Sequence, residues 1–476
     1  MSIIFRLTAD IMPGMTHADL IARYDGRVPR YTSYPTAPNF SPAIGPDDYA
    51  AWLAALPADA ALSLYFHVPF CDRLCLYCGC NTSVVRQDEP RRAYAELLRR
   101  ELRLIAGHIG RDAQAGRARV GHVHWGGGTP TTLPADCLTG VMETVRDLFD
   151  LLPGAEVAIE IDPTALPDDR LQALAAMGVN RASLGVQDFE PAVQAAIGRI
   201  QTFEATDSCA RSLRSLGIDS INLDLIYGLP HQTEHSVAET ARMALELGAA
   251  RIAVFGYAHV PWMKRHQALI PDSSLPDAQA RFAQRGRIEN VLQAEGGYRA
   301  VGLDHYAQPN DALAQAAGSA AGKDRLRRNF QGYTTDAAPA LIGIGASAIG
   351  SLPQGYVQNA PGVPAYAAAI RADRLASVRG VALTEDDRLR RDVIERIMCD
   401  LQADLPALAA AHGADPAPLL AAAHGLERFQ ADGLVCWDGS RVEVTATGRP
   451  FVRNVAALFD AYLTPDNAVR RHAQAV

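Results

Sequence analysis

Six short apolar, β-branched runs alternate with longer amphipathic segments, and that alternation restricts the chain to few folds. The runs fall at 62–68, 120–125, 156–161, 181–186, 220–226 and 251–257. Helical periodicity fills most of the gaps, at 91–108, 135–148, 168–177, 203–216 and 236–247. In the first of these, Tyr94, Leu97, Leu98, Leu102 and Ile105 share one face. Strand–helix–strand repeats of this kind predict parallel strands joined by right-handed crossovers. Six units make an α/β fold, a partial (β/α)6 barrel. In such a barrel the ligand sites collect at the C-terminal ends of the strands.

The flanks read differently. A polar arm precedes the first run and contains Tyr24 and Pro29-Arg30-Tyr31-Thr32-Ser33-Tyr34-Pro35-Thr36. Two prolines and five hydroxyl residues in 29–36 predict an ordered extended segment. Met12 and Met15 offer alternative starts, and residues 1–15 carry no usable pattern. Residues 310–327 are Ala/Gly-rich and read as a loop. Beyond about residue 375, helical stretches at 386–399, 404–411 and 416–429 precede strand-like pieces at 434–437 and 442–445 and a last helix at 453–462. The expected organisation is an arm over 1–48, a barrel domain over 49–375, and a small, mostly helical domain with a short hairpin over 376–476.

At 476 residues the chain exceeds a single ordinary core. Its hydrophobic fraction of 48% and charged fraction of 21% are those of a globular protein. A net charge of −8 argues against broad binding to nucleic acid or anionic membranes. The opening Met1-Ser2-Ile3-Ile4-Phe5-Arg6 is too short an apolar stretch for a signal peptide, and no apolar run is long enough to span a bilayer. Of eight cysteines, four cluster at 71–80, while Cys137, Cys209, Cys399 and Cys436 are scattered. Scattered single cysteines suit reduced thiols in a cytoplasmic protein.

The clustered cysteines carry the chemistry. Cys71, Cys75 and Cys78 form a C-x3-C-x2-C spacing in the run Phe70–Cys80. Soft thiolates favour zinc or iron–sulfur. Structural zinc wants four ligands, usually as two separated C-x2-C pairs. Cys80 follows in a C-x-C step that closes such a tetrahedron poorly. Three thiolates on a four-iron cluster leave one iron open; zinc and a redox dithiol are the alternatives.

Gly126-Gly127-Gly128-Thr129-Pro130 follows the second strand, where bare backbone admits a ligand or simply turns tightly. No Gly-Lys-Ser/Thr follows, so it is not a P-loop. Glu160, Gln187 and Asp224 stand at strand ends, with Arg199 in a helical return. Each alone reads equally well as a rim residue; phased on one barrel mouth they point to a shared ligand. A carboxylate at Glu160 suits a ribose diol or an ammonium group. Asp304-His305-Tyr306 invites a general-acid or proton-relay role, with a structural histidine as the equal alternative. His67, His122 and His124 are expected to pack or to support other groups. Arg30 and the arm tyrosines either cover a substrate or strap the arm to the barrel.

The cysteine spacing resembles the signature of the radical S-adenosylmethionine (SAM) enzymes, in which SAM takes the open iron. From about Leu20 to about Leu463 the chain resembles one family of these, the oxygen-independent coproporphyrinogen III oxidases or coproporphyrinogen dehydrogenases of haem synthesis. The marks are the arm 29–36, the run 70–80 with its fourth cysteine, 124–131, 185–189, Asp304-His305, and Asn329-Phe330-Gln331-Gly332-Tyr333-Thr334-Thr335. The resemblance implies a [4Fe–4S] cluster on Cys71, Cys75 and Cys78, with Cys80 not a ligand. It implies one SAM contacting Tyr65, Gly127, Glu160 and Ile344. It implies a second SAM contacting Tyr77, Gly128, Thr129, Gln187, Arg199, Asp224 and Ala258. Ala258 and Ile344 rest on the resemblance alone. The stretch 313–324 looks longer than usual for the family, and Leu303 stands where Met is expected.

The implied reaction starts with one electron from the cluster, which splits SAM into methionine and a 5′-deoxyadenosyl radical. The radical takes a hydrogen from a propionate β-carbon of coproporphyrinogen III. Loss of CO2 and one electron leaves a vinyl group, and two such events give protoporphyrinogen IX. A flavodoxin- or ferredoxin-type reductant, an unidentified electron acceptor and a monomeric state are expected. Three rivals remain: a haem chaperone built on the same barrel, another radical SAM enzyme, and a protein whose cluster or zinc is structural and which cleaves no SAM. Such chaperones typically lack the fourth cysteine and the Arg-Tyr-Thr-Ser-Tyr arm, both present here.

Overall fold

The computed structural model describes residues 15–57, 59–109, 117–317 and 325–463. Met12, residues 318–324 of the Ala/Gly-rich segment and the chain beyond 463 lie outside the described residues. All six expected strands form: β1 (Ala61–Val68), β2 (Arg119–Gly127), β3 (Asp150–Ile161), β4 (Arg181–Gln187), β5 (Ser220–Tyr227) and β6 (Arg251–Gly256). They run parallel and lie side by side in chain order. The connecting helices follow the predicted periodicity, with Ala135–Leu148 and Asp168–Met177 matching to the residue.

The remaining strands extend the sheet on both sides. They are β7 (Arg299–Val301), β8 (His305–Ala307), β9 (Ala340–Ile344), β10 (Ile349–Leu352), β11 (Gly355–Asn359) and β12 (Ser377–Ala382). The order across the sheet is β12-β11-β10-β9-β1-β2-β3-β4-β5-β6-β8-β7. β9 is parallel to β1, whereas β10–β12 and β7–β8 pair antiparallel. The partial barrel is therefore present as an open, twelve-stranded mixed sheet that does not close on itself.

Strand alternation sorts side chains between two faces. On β4 and β5, Ala182, Leu184, Val186, Ile221, Leu223 and Leu225 are buried in the apolar core. Ser183, Gln187, Asn222 and Asp224 alternate onto the other face, and Ser183, Gln187 and Asp224 line a cavity there. This face, at the C-terminal ends of the strands, is where a ligand can sit.

Helix Asp88–His108 packs over β1 and β9 and anchors their ends. Its Tyr94 hydroxyl donates to His67 O at 2.8 Å and accepts from Ala346 N at 2.8 Å. Its Glu101 carboxylate is fully buried and accepts from Gly345 N at 2.7 Å, Asn359 Nδ2 at 2.7 Å and Tyr366 Oη at 2.6 Å.

The N-terminal arm and the C-terminal region share one core. The arm begins with a helix, His17–Tyr24, capped by Thr16; beyond it the chain is not the extended segment expected but turns at Tyr31 (φ +48°) and bends through residues 32–35. Leu20, Tyr24, Tyr31 and Tyr34 pack with Val393, Ile397, Phe429, Phe451 and Phe459. Arg453 donates to Pro29 O at 3.1 Å, Tyr31 Oη to Asp460 at 3.1 Å, and Ala461 N to Tyr34 Oη at 3.0 Å. The tyrosines thus strap the arm down. The predicted helix over 416–429 is two helices, Ala417–Ala423 and Leu426–Ala431. They part at Gly425, where any Cβ would lie 2.7 Å from Leu458. The expected hairpin, Val435–Trp437 with Arg441–Val444, gains a third strand, Gln402–Asp404. The last helix is shorter than expected, Val452–Ala457. Among the described residues no helix is long and apolar enough to cross a membrane.

Burial pushes the Glu101 carboxyl up from its ordinary 4.5 to about 7, against the hydrogen bonds from Tyr366, Gly345 and Asn359. The folded state therefore favours the protonated acid. That contribution is fully present below pH 4.5 and is lost as the pH rises through about 7. We predict that denaturant unfolding of the wild type loses about 3 kcal/mol between about pH 5 and pH 8 that Glu101→Gln does not lose. Parallel pH profiles for the two proteins would contradict this role.

Candidate active site

The cysteine loop leaves the end of β1 through a two-residue strand, Phe70–Cys71, paired with Ser83–Val84. Its carbonyls are satisfied from a distant segment. Gln267 Nε2 donates to Tyr77 O at 2.8 Å, His266 Nε2 to Cys78 O at 2.8 Å, and Lys264 Nζ to Cys80 O at 2.8 Å. Sequence reading missed all three, because nothing local links them to cysteines nearly 190 residues earlier. On the other side, Leu76 N donates to Ile197 O at 2.9 Å.

The glycine turn after β2 is laid directly against this loop. Gly128 N donates to Val68 O and Thr129 N to Phe70 O, both at 2.8 Å. A Cβ on Gly128 would sit 2.6 Å from Phe70 O. Gly127 has φ +109°, and a Cβ there would lie 2.6 Å from the His67 ring. Both positions need glycine for close approach, and Gly127 also for its backbone conformation. Thr129 Oγ1 lies 3.6 Å from Cys71 Sγ.

One cavity of about 490 Å³ gathers Cys71, Cys75, Cys78, Tyr77, Gly127, Gly128, Thr129, Glu160, Gln187, Arg199, Asp224 and Ala258. Two expected residues lie elsewhere. Tyr65 opens on a separate cavity of about 180 Å³ with His67 and Phe330. The Ile344 side chain is fully buried in the apolar core. Tyr65 Oη donates to His67 Nδ1 at 3.1 Å, and His67 Nε2 donates to Asn81 O at 3.2 Å, so this histidine has a supporting place.

The polar walls are held firmly. Glu160 accepts from Gly127 N at 3.1 Å and His124 Nε2 at 3.4 Å. Asp224 accepts from Asn222 Nδ2 at 2.8 Å and Ser183 Oγ at 3.1 Å. Burial, then the nearby Glu160, pushes its carboxyl up to about 6. Arg199 donates to Gly185 O at 2.8 Å and Gln201 Oε1 at 3.1 Å, pairs with Asp162 at 3.3 Å, and lies 3.7 Å from Cys75 Sγ. Asp162 also pairs with Arg73 at 3.2 Å. Against the penalty of burial, these two guanidinium groups hold its carboxyl below the usual range. Asp162 was legible only as an acid one residue beyond a strand end. Gln187 has φ +70°, at a β4 irregularity beside Gly185. Left-handed backbone at a non-glycine residue in a cavity wall is strain of the kind that gathers at functional sites.

His305 stands behind the cavity wall. It is buried between Phe255 and Tyr333, with Nδ1 2.7 Å from Asp304, and lines neither cavity. Arg30 leaves the strapped arm and reaches the cavity wall, donating to Gly256 O at 3.0 Å.

The donor set at the cavity mouth is three thiols from one loop, none in a disulfide. Among the described residues no three His, Cys, Asp or Glu side chains could hold a single metal ion. Three thiols from one loop that line one cavity fit a multinuclear iron–sulfur cluster, which Cys71, Cys75 and Cys78 would hold.

Residues 65–244 match the radical SAM superfamily and residues 383–451 the HemN C-terminal domain. The oxygen-independent coproporphyrinogen III oxidase of Bradyrhizobium diazoefficiens is 52% identical, over 96% of this chain and 100% of that protein. The protein of the same name from Paracoccus denitrificans is 44% identical, over 98% of this chain and 100% of its own length. The solved structure of coproporphyrinogen III oxidase from Escherichia coli, described as a radical SAM enzyme, superposes with a TM-score of 0.84. It is 38% identical, with 91% of this chain and 98% of that chain covered. The chain belongs to the oxygen-independent coproporphyrinogen III oxidases of the radical SAM superfamily.

Proposed function

We propose that this protein oxidatively decarboxylates two propionate side chains of coproporphyrinogen III to vinyl groups, giving protoporphyrinogen IX. The observation that carries the reading is one cavity shared by the three thiols, the glycine turn and the strand-end groups Glu160 and Asp224, in a chain of this family. The relatives bear the oxidase's name, which supports this reading over that of a haem chaperone.

In this reading Cys71, Cys75 and Cys78 hold a [4Fe–4S] cluster. Tyr65, Gly127, Glu160 and Ile344 serve one SAM; Tyr77, Gly128, Thr129, Gln187, Arg199, Asp224 and Ala258 serve a second. When bound, the cluster and SAM together supply a one-electron cleavage that yields the hydrogen-abstracting adenosyl group. The protein's own part is position. Glu160, fixed by the Gly127 amide, presents a carboxylate to an ammonium or ribose diol. Ile344, buried at the end of β9, serves through the main-chain edge beside β1. Arg199, locked by Asp162 and Gly185 O, presents a fixed cation beside the sulfurs. Asp224, poised near 6, is fully ionised only above that pH and suits a hydrogen-bonding cation or hydroxyl. The strapped arm brings Arg30 to the cavity wall. The reading includes a flavodoxin- or ferredoxin-type electron donor, an acceptor yet to be identified, a monomeric state and the cytoplasm. Eight cysteines outside any disulfide support a reducing compartment.

Anaerobic conversion of coproporphyrinogen III by reconstituted protein tests the reading. Cys71→Ala is expected to lose both the cluster's visible absorbance and product formation, whereas Cys80→Ser keeps the cluster. Retained activity in the first, or lost iron in the second, contradicts the ligand assignment. SAM affinity of the wild type is expected to weaken as the pH falls through about 6, where Asp224 takes up its proton. Asp224→Asn is expected to bind SAM about tenfold more weakly at pH 7.5 and without that pH dependence. Equal affinity and equal pH profiles in the two proteins would remove Asp224 from the site.

A further inference from the structure

Beside the main cavity lies a second cleft, of about 40 Å³, continuous with it through Arg30, Phe255, Gly256, Tyr257 and Ala258. Five guanidinium groups line it, from four separate parts of the chain. Arg30 comes from the arm, Arg281 and Arg285 from helix Ala278–Asn290, Arg328 from strand Arg327–Asn329, and Arg453 from helix Val452–Ala457. Asp304 is the one carboxylate in the lining.

For Arg281, Arg285 and Arg328 the local partners answer little of the charge. Arg328 Nη1 is 3.6 Å from Asp304, and its Nη1 is buried without a hydrogen-bond partner. Arg285 donates to Leu303 O at 3.3 Å and sits 3.8 Å from Glu289. Arg281 lies 6.0 Å over the Tyr227 ring, and its buried Nε has no hydrogen-bond partner. Burial, with Arg30 and Arg328 nearby, depresses Arg453 to about 9. Crowding cations in a partly desolvated cleft is costly unless an anion offsets them. The planar guanidinium fork matches a carboxylate in two-point geometry.

We propose that this cleft binds the carboxylates of the two propionates that the substrate keeps. The inference rests on the function proposed above. In coproporphyrinogen III those two propionates flank the same bridging carbon, so their carboxylates leave one edge of the macrocycle as a pair. The propionates to be oxidised occupy the rest of the ring system. Seating the anionic edge among the arginines turns the other rings toward the cavity that holds the cysteines. Product keeps the same two anions, so the cleft orients the tetrapyrrole through both oxidations. The cation set also selects a substrate with paired carboxylates over an apolar macrocycle.

Anaerobic equilibrium binding of coproporphyrinogen III and of its tetramethyl ester to the reconstituted full chain is the test. The wild type is expected to bind the free acid well and the ester poorly. Arg281→Gln is expected to weaken binding of the acid by about tenfold to a hundredfold and to leave the ester unchanged. Arg281→Lys keeps the charge, loses the fork and is expected to fall between. KM for coproporphyrinogen III should rise with these losses, while cluster absorbance and SAM affinity stay at wild-type values. Equal binding of acid and ester by the wild type, or wild-type acid binding by a folded Arg281→Gln protein, overturns the proposal while leaving the oxidase reading in place. A wild type that neither binds nor converts coproporphyrinogen III overturns both.

Discussion

Two main-chain hydrogen bonds, from Gly128 N to Val68 O and from Thr129 N to Phe70 O, fix the distance between the cysteine loop and the next strand end. The rest of the site depends on that contact. It can form only because residues 127 and 128 lack side chains: His67 and Phe70 O occupy the space that Cβ atoms would need. The same turn leaves the Gly127 amide free to hold Glu160. A single close approach of backbone to backbone thus places thiols, turn and carboxylate on one wall.

The parallel sheet supplies the other walls. All six leading strands end on one edge, so groups that are far apart in the chain arrive together. β4 and β5 contribute Gln187 and Asp224 from their polar face, while their apolar face is held by the core. Helix Asp88–His108 stiffens this edge through Tyr94 and Glu101, which bind the ends of β1 and β9. The arm and the C-terminal helices, sharing one core, close the side where Arg30 enters.

What was legible in the sequence follows from locality. The cysteine loop is contiguous, and each strand-end residue sits within a few positions of a recognisable apolar run. Twelve of fourteen expected site residues accordingly line one cavity. β9 was not legible, because its pairing with β1 joins Ala340 to Leu62 across a long stretch of chain. Nor were the Lys264, His266 and Gln267 caps on the cysteine loop, which have no periodic or local signal. The arginine cleft is hidden for the same reason: Arg30 stands out in the arm, but in an Arg-rich chain no arginine at 281, 285, 328 or 453 does until the fold gathers them. The close approach of Leu458 to Gly425, between two helices of the C-terminal region, likewise has no local signal.

The central claim is that the substrate's propionate β-carbon and the adenosyl group of SAM meet in the cavity beside Cys71, Cys75 and Cys78. The most direct measurement is an anaerobic turnover with coproporphyrinogen III deuterated at the propionate β-carbons, analysing 5′-deoxyadenosine by mass spectrometry. The account predicts deuterium in the nucleoside in step with vinyl formation. Unlabelled 5′-deoxyadenosine accompanied by product, or product without the nucleoside, would contradict it.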